Sequence, residues 1–158
     1  MISQKARYAF KALICLARLP MGDSLQIKEI AAREDIPRAF LEHILLDLKR
    51  MRVVGSRRGQ AGGYFLLKQA DDISFGDILW QIDGPMAPLA CLSRQAYRRC
   101  DDCSDEADCA LRAGFANVFQ VTLAALNAVT LAMALDLANG KGAGAQGYGA
   151  DPFSGANI

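Results

Sequence analysis

Four of the five cysteines in this 158-residue chain lie between Cys91 and Cys109, spaced C-x8-C-x2-C-x5-C among aspartates and arginines. Cysteine on an apolar helix face is ordinarily a small buried hydrophobe, and Cys15 within Ala-Leu-Ile-Cys-Leu-Ala has that context. Four of them in a polar stretch serve another purpose. In a short secreted chain they would read as disulfides, but Met1 is followed by no apolar leader, so the expected compartment is the cytoplasm. There a cysteine cluster holds a metal or an iron–sulfur cluster, or acts as a redox switch.

The elements that position these thiols divide by charge. Residues 1–68 carry thirteen Lys/Arg against six Asp/Glu, and residues 69–158 carry five against eleven, so a net charge of +1 hides a basic half and an acidic half. A basic half suits a polyanionic partner. Charged or polar residues interrupt every apolar run before it reaches membrane-spanning length, so no membrane partner is expected.

Residues 3–19 place Tyr8, Leu13, Leu16 and Ala17 at helical spacing, with Ser3 as N-cap. Pro20-Met21-Gly22-Asp23 breaks this helix. Ile27–Glu34 reads as a short second helix with Ile27, Ile30 and Ala31 inward. Pro37 then sits at the first turn of a third helix, 38–52, whose apolar stripe is Phe40, Leu41, Ile44, Leu45 and Leu48. Two short helices joined by a tight turn, the second exposing Arg38, His43, Asp47, Lys49 and Arg50, form a helix-turn-helix. Val53–Ser56, the turn Arg57-Arg58-Gly59-Gln60-Ala61-Gly62-Gly63, and Tyr64–Leu67 read as a β-hairpin wing. Its glycines let the backbone turn tightly, and Arg57 and Arg58 are placed to reach a narrow groove. A phosphate-binding loop is disfavoured, because no Lys-Ser/Thr pair follows the glycines and no helix opens there.

Residues 73–83 predict a fourth helix, capped by Ser74, with Ile78, Leu79 and Ile82 packed inward and Trp80 in the core. Pro85 and Pro88 lead into the cysteine segment. From Ala107 onward Leu111, Phe115, Val118, Phe119, Thr122 and Leu126 recur every three to four residues, with few charges after Arg112. So apolar a helix needs a cover, and a second copy in a two-fold dimer is the expected one. Thr130 restarts a short helix that can pack across the same interface. Residues 140–158, Gly/Ala-rich and almost uncharged, are expected to be disordered.

This order of parts resembles the Rrf-two family of winged-helix transcription regulators, in its IscR- and NsrR-like, iron–sulfur branches. The resemblance rests on Arg7-Tyr8-Ala9, Leu41-Glu42 with Leu45 and Leu48, Arg58-Gly59 with Gly62-Gly63-Tyr64, Ile82-Asp83, the cysteine segment and Thr130-Leu131. It covers roughly residues 1–138. It implies a homodimer on a near-palindromic double-stranded DNA operator, with the third helix in the major groove and the wing arginine in the minor groove. Carried onto this chain, Glu42 and His43 face bases, Arg38 and Ala39 lie at the N-terminal end of that helix, and Arg58 with Gly59 belongs to the wing. Glu42 suits cytosine N4 and Arg58 a narrow A·T-rich groove.

Cluster-binding members of that family use three cysteines from this segment plus a fourth ligand of another kind, at two intervals of about five residues. Cys103-x5-Cys109 fits the second interval, whereas the first is longer and an extra cysteine is present. At the position of the histidine ligand found in one branch stands Arg112, and at that of the aspartate ligand of the other stands Arg7. Arginine does not bind a cationic metal. The expected ligand set is therefore Cys91, Cys100, Cys103 and Cys109, around an iron–sulfur cluster of the 2Fe-2S type in preference to 4Fe-4S. Arg98, Arg99 and Arg112 would offset its negative charge. Zinc needs the same thiolates, but its four-cysteine sites usually pair two C-x-x-C knuckles and this chain has one; a thiol–disulfide switch is the third reading.

An enzyme is disfavoured. The one histidine, His43, lies on the recognition helix, and no G-x-G-x-x-G follows a strand and opens a helix, so no small-molecule substrate site is expected. The expected architecture is mainly α with a small β-hairpin: a winged helix-turn-helix domain (1–84), a cysteine-rich cofactor segment (85–110), dimerisation helices (107–139) and the tail (140–158).

Overall fold

The computed structural model describes residues 2–59, 62–84, 86–93, 96–103 and 105–141. The expected disorder of residues 140–158 falls almost wholly outside them. Six helices and one two-stranded antiparallel hairpin follow in the order α1 (Gln4–Ala17), α2 (Ile27–Glu34), α3 (Arg38–Arg50), β1 (Val54–Arg57), β2 (Gly63–Leu66), α4 (Phe75–Asp83), α5 (Ala110–Ala128) and α6 (Leu131–Ala138). Single 3-10 turns lie at Ala70–Asp72 and Ala90–Leu92.

Three helices start where a hydroxyl precedes them, because a side-chain oxygen satisfies an otherwise orphaned N–H in the first turn. Ser3 accepts from Ala6 N–H, Ser74 from Asp77 N–H and Thr130 from Met133 N–H. A reciprocal capping box of Gln26 and Glu29 opens α2. Asp35, in the left-handed conformation at φ 51°, ends α2 and makes the tight turn into α3.

Two expectations for the third helix are corrected. It ends at Arg50, with Met51 as C-cap and Arg52 left-handed at φ 54°, so it does not run to Arg52. Pro37 is the N-cap and not a first-turn residue; its carbonyl accepts the Leu41 N–H at 3.0 Å.

One core gathers Leu13 and Leu16 of α1, Ile30 of α2, Leu41, Ile44, Leu45 and Leu48 of α3, Val54 and Leu66 of the hairpin, and Ile78 and Leu79 of α4. Phe40 departs from the expected stripe: it is 42% exposed and meets Tyr8 edge-on, ring centroids 5.7 Å apart. Trp80 is half-buried and lines an open groove of about 470 Å³ with Leu92, Phe119 and Leu123, outside the core.

The hairpin pairs Val54 with Leu66 through Arg57 with Gly63. Leu25 extends it by pairing with Tyr64, through N–H···O bonds of 3.0 and 2.7 Å. Gly63 permits this approach, since a Cβ there would overlap the Leu25 carbonyl. The chain's C-terminal part returns to the core: Phe75 N–H donates to Val129 O, Leu131 N–H to Ile73 O, and Leu131 is fully buried. The short last helix is thus anchored within its own chain.

Candidate DNA-reading surface and cysteine segment

With Leu41, Ile44, Leu45 and Leu48 facing inward, the 100° step per residue turns Arg38, Ala39, Glu42 and His43 outward, and all four are exposed. Arg38 Nε lies 3.3 Å from Glu42 Oε1, so the Glu42 carboxylate has a partner in the free chain. The far side of α3 is braced from two directions. Lys5 of α1 reaches Asp47 at 2.7 Å, and Arg50 reaches the same carboxylate at 3.0 Å. These contacts hold the Asp47 carboxyl below the usual carboxylate range, the Lys5 hydrogen bond contributing most. Lys49 Nζ donates to Ser56 Oγ at 2.7 Å, tying the recognition helix to the wing.

The two wing arginines differ. Arg57 lies within β1; its guanidinium stands 4.5 Å over the Phe65 ring, and Nη1 donates to Gly22 O at 3.1 Å. Arg58 and Gly59 open the turn beyond the strand and are exposed, and no hydrogen bond or ion pair to another described residue holds Arg58. Arg57 is thus committed to bracing the hairpin, while Arg58 is presented to solvent. The Phe65 ring, which lies across Gly55 and under Arg57, was the unread part of the wing. Gly55 opposite an aromatic on the partner strand is the signal that could have shown it.

Cys91, the first of the four thiols, lies in the Ala90–Leu92 turn, eight residues after the end of α4. Asp83, the last residue of α4, accepts from both the backbone N–H and the hydroxyl of Ser3, clamping the start of α1 to this exit point. Cys91 is buried, Cys100 exposed, Cys103 and Cys109 half-buried, and all are free thiols. Although Cys100 is exposed, partial desolvation of its sulfur raises its pKa, as do the neighbouring Cys91, which hydrogen-bonds it, and Cys103. Cys103 N–H donates to Cys100 O at 3.3 Å, closing a turn between them. Cys109 is the N-cap of α5, its Sγ accepting from Arg112 N–H at 3.4 Å. Around them Tyr97 O–H donates to Glu106 at 2.7 Å, Arg112 Nε stands 4.0 Å from the same carboxylate, and Arg99 donates to Cys103 O.

Helix-turn-helix, exposed second-helix face and adjacent hairpin wing define a winged-helix DNA-binding transcriptional regulator. Residues 2–137 match the Rrf2 family, described as iron-dependent transcriptional regulators, and the chain belongs to that family. The family is one of regulators and not of enzymes. An HTH-type transcriptional regulator described as rrf2-like, from Rhodobacter capsulatus, is 53% identical over 134 residues, 83% of this chain and 89% of that one. The structure of CymR, titled the global cysteine regulator of B. subtilis, aligns with TM-score 0.69 at 29% identity, over 88% of this chain and 96% of that one. The structure of T. potens IscR aligns with TM-score 0.66 at 25% identity, over 87% and 88% respectively.

An iron–sulfur group would be held by the four free thiols of this segment. By chemistry it fits: four thiols, the count such clusters ordinarily take. By arrangement it is not closed, since among the described residues no three His, Cys, Asp or Glu side chains converge on a metal-sized point. No helix among the described residues is long and apolar enough to cross a membrane.

Proposed function

We propose that this regulator acts in the cytoplasm as a homodimer on a near-palindromic double-stranded operator, and that Cys91, Cys100, Cys103 and Cys109 hold an iron–sulfur cluster, 2Fe-2S in preference to 4Fe-4S, whose state sets operator affinity. The observation that carries the reading is the exposed α3 face lying beside the free Arg58 of the wing, on the body whose α4 runs into the cysteine segment. Arg38, Ala39, Glu42 and His43 read the major groove, Glu42 accepting from cytosine N4. Arg58 and Gly59 enter the minor groove, where Arg57 serves by holding the wing in place. Leu111, Phe115, Val118 and Val121 of α5 are all exposed, and a second copy is the cover that suits them.

When bound, the cluster supplies a redox- and iron-sensitive link among the four thiols. The chain's own part is to convert the position of that segment into the spacing of two α3 helices. Operator half-sites lie about 34 Å apart, so a small rotation misplaces one helix. A coupling of about 1–3 kcal/mol, five- to 150-fold in affinity, is the expected size.

The test is anaerobic purification, an absorption spectrum, and iron, sulfide and zinc analysis, followed by titration of a selected operator before and after cofactor removal. Iron with acid-labile sulfide, and bleaching by Ser at each of the four cysteines, are expected. Colour retained in Cys100→Ser would reduce the set to three thiols. One zinc per chain would make the segment a structural knuckle, and no metal at all would favour the thiol switch.

A further inference from the structure

We infer that Leu46 is a specificity-determining residue of the recognition helix, reading the C5-methyl group of thymine in the major groove. The inference rests on the DNA-reading face proposed above and adds to it a residue of different chemistry. Leu45 and Leu48 on either side of it are fully buried, yet Leu46 is 47% exposed. It stands seven residues after Ala39, four after Glu42 and three after His43, which places it on their stripe, about one turn further along the helix. A lone exposed leucine needs no explanation on an ordinary surface. This one, however, continues a face whose other members are polar or charged or, in Ala39, a single methyl.

The comparison with Phe40 sharpens the point. Phe40 is exposed to a similar degree, 42%, but it lies off the stripe and has a partner in its own chain, the Tyr8 ring. Leu46 has no hydrogen-bonding group and so cannot read a donor or acceptor on a base edge. The feature of the major groove that rewards an apolar side chain is the thymine methyl. Leu46 therefore specifies thymine, while Glu42 and His43 specify by hydrogen bonding.

The test uses the full-length chain and an operator selected from a random duplex library, with each thymine in a half-site replaced in turn by deoxyuridine, which lacks only the methyl. In the wild type, one or two positions lose about fourfold in affinity, the value of one buried methyl group. Leu46→Ala binds the thymine and deoxyuridine duplexes alike at those positions, while Leu46→Met, which keeps an apolar reach, retains part of the difference. Deoxyuridine costing nothing in the wild type, or costing the same in Leu46→Ala, would overturn the inference and leave the DNA face standing. A selection that enriches no sequence, with binding indifferent to Arg58→Ala, would instead remove the DNA face itself and this residue's role with it.

Discussion

Helix α1 buries seven of its fourteen residues, whereas α5 buries none of its nineteen. The first is surrounded by α2, α3, α4 and α6; the second lies along α4 on one side and leaves Leu111, Val118 and Val121 about 60% exposed on the other. The reading half is therefore complete within one chain. The C-terminal half is tied in at one end, where the Val129 carbonyl and Leu131 join it to the core through Phe75 and Ile73. Its other end, Cys109, stands about 28 Å away along a rigid rod of nineteen residues. Between these ends α5 packs along α4 and against the Ala90–Leu92 turn that carries Cys91.

The largest effect that tests this contrast comes from removing one apolar side chain from each half. Leu131→Ala empties a fully buried site and is expected to lower unfolding free energy by about 3 kcal/mol. Phe115→Ala, on the open face of α5, is expected to change it by no more than about 0.5 kcal/mol when the chain is dilute enough to be monomeric. Its consequence appears in self-association, measured by sedimentation. Equal destabilisation by the two at that dilution would show α5 to be part of the same core, and the contrast would fall.

Next in size is the division between the wing arginines. Arg58→Ala is expected to cost about 1–3 kcal/mol in operator binding, tenfold or more, with the unfolding transition and any cofactor spectrum unchanged. Arg57→Ala removes the stack on Phe65 and the bond to Gly22, so its smaller loss in affinity comes with faster amide exchange at Leu25 and Tyr64. If Arg57→Ala were the more damaging to affinity and left exchange untouched, the two roles would be reversed.

The reading half was legible in the sequence because its signals are local. The apolar spacing of α3, the hydroxyl caps at Ser3 and Ser74, and the glycines of the wing each report on a backbone within a few residues. What stayed hidden depends on residues far apart in sequence. The Ser3–Asp83 clamp spans 80 positions, and Leu25 joins the hairpin from the other side of α2 and α3. Leu131 joins the core from beyond α5. Arg57 and Arg58 look alike in sequence, and the Phe65 ring and the Gly22 carbonyl separate them. The four cysteines stand out by count and spacing, but their approach depends on a polar loop with little apolar burial to fix it, so spacing alone does not determine which thiols meet.

The smallest effect lies at the junction between the first helix and the recognition helix. Lys5 holds the Asp47 carboxyl below its unfolded value of about 3.9, so the folded state binds that proton more weakly than the unfolded chain does. The stabilisation is complete above that unfolded value and is lost as the pH falls through the lower folded one. Both side chains are partly exposed, at 41% and 30%, so solvent screening limits the pair to about 0.5 kcal/mol. Lys5→Met should therefore lower stability by about that amount at pH 7, with the two unfolding curves drawing together as the pH falls below about 3.9. Raising the salt to 1 M should narrow the pH 7 gap, since a Debye length of about 3 Å screens a partly exposed pair. A gap that did not narrow at all as the pH fell would assign the effect to the lysine's methylenes packed on α3 and not to its charge.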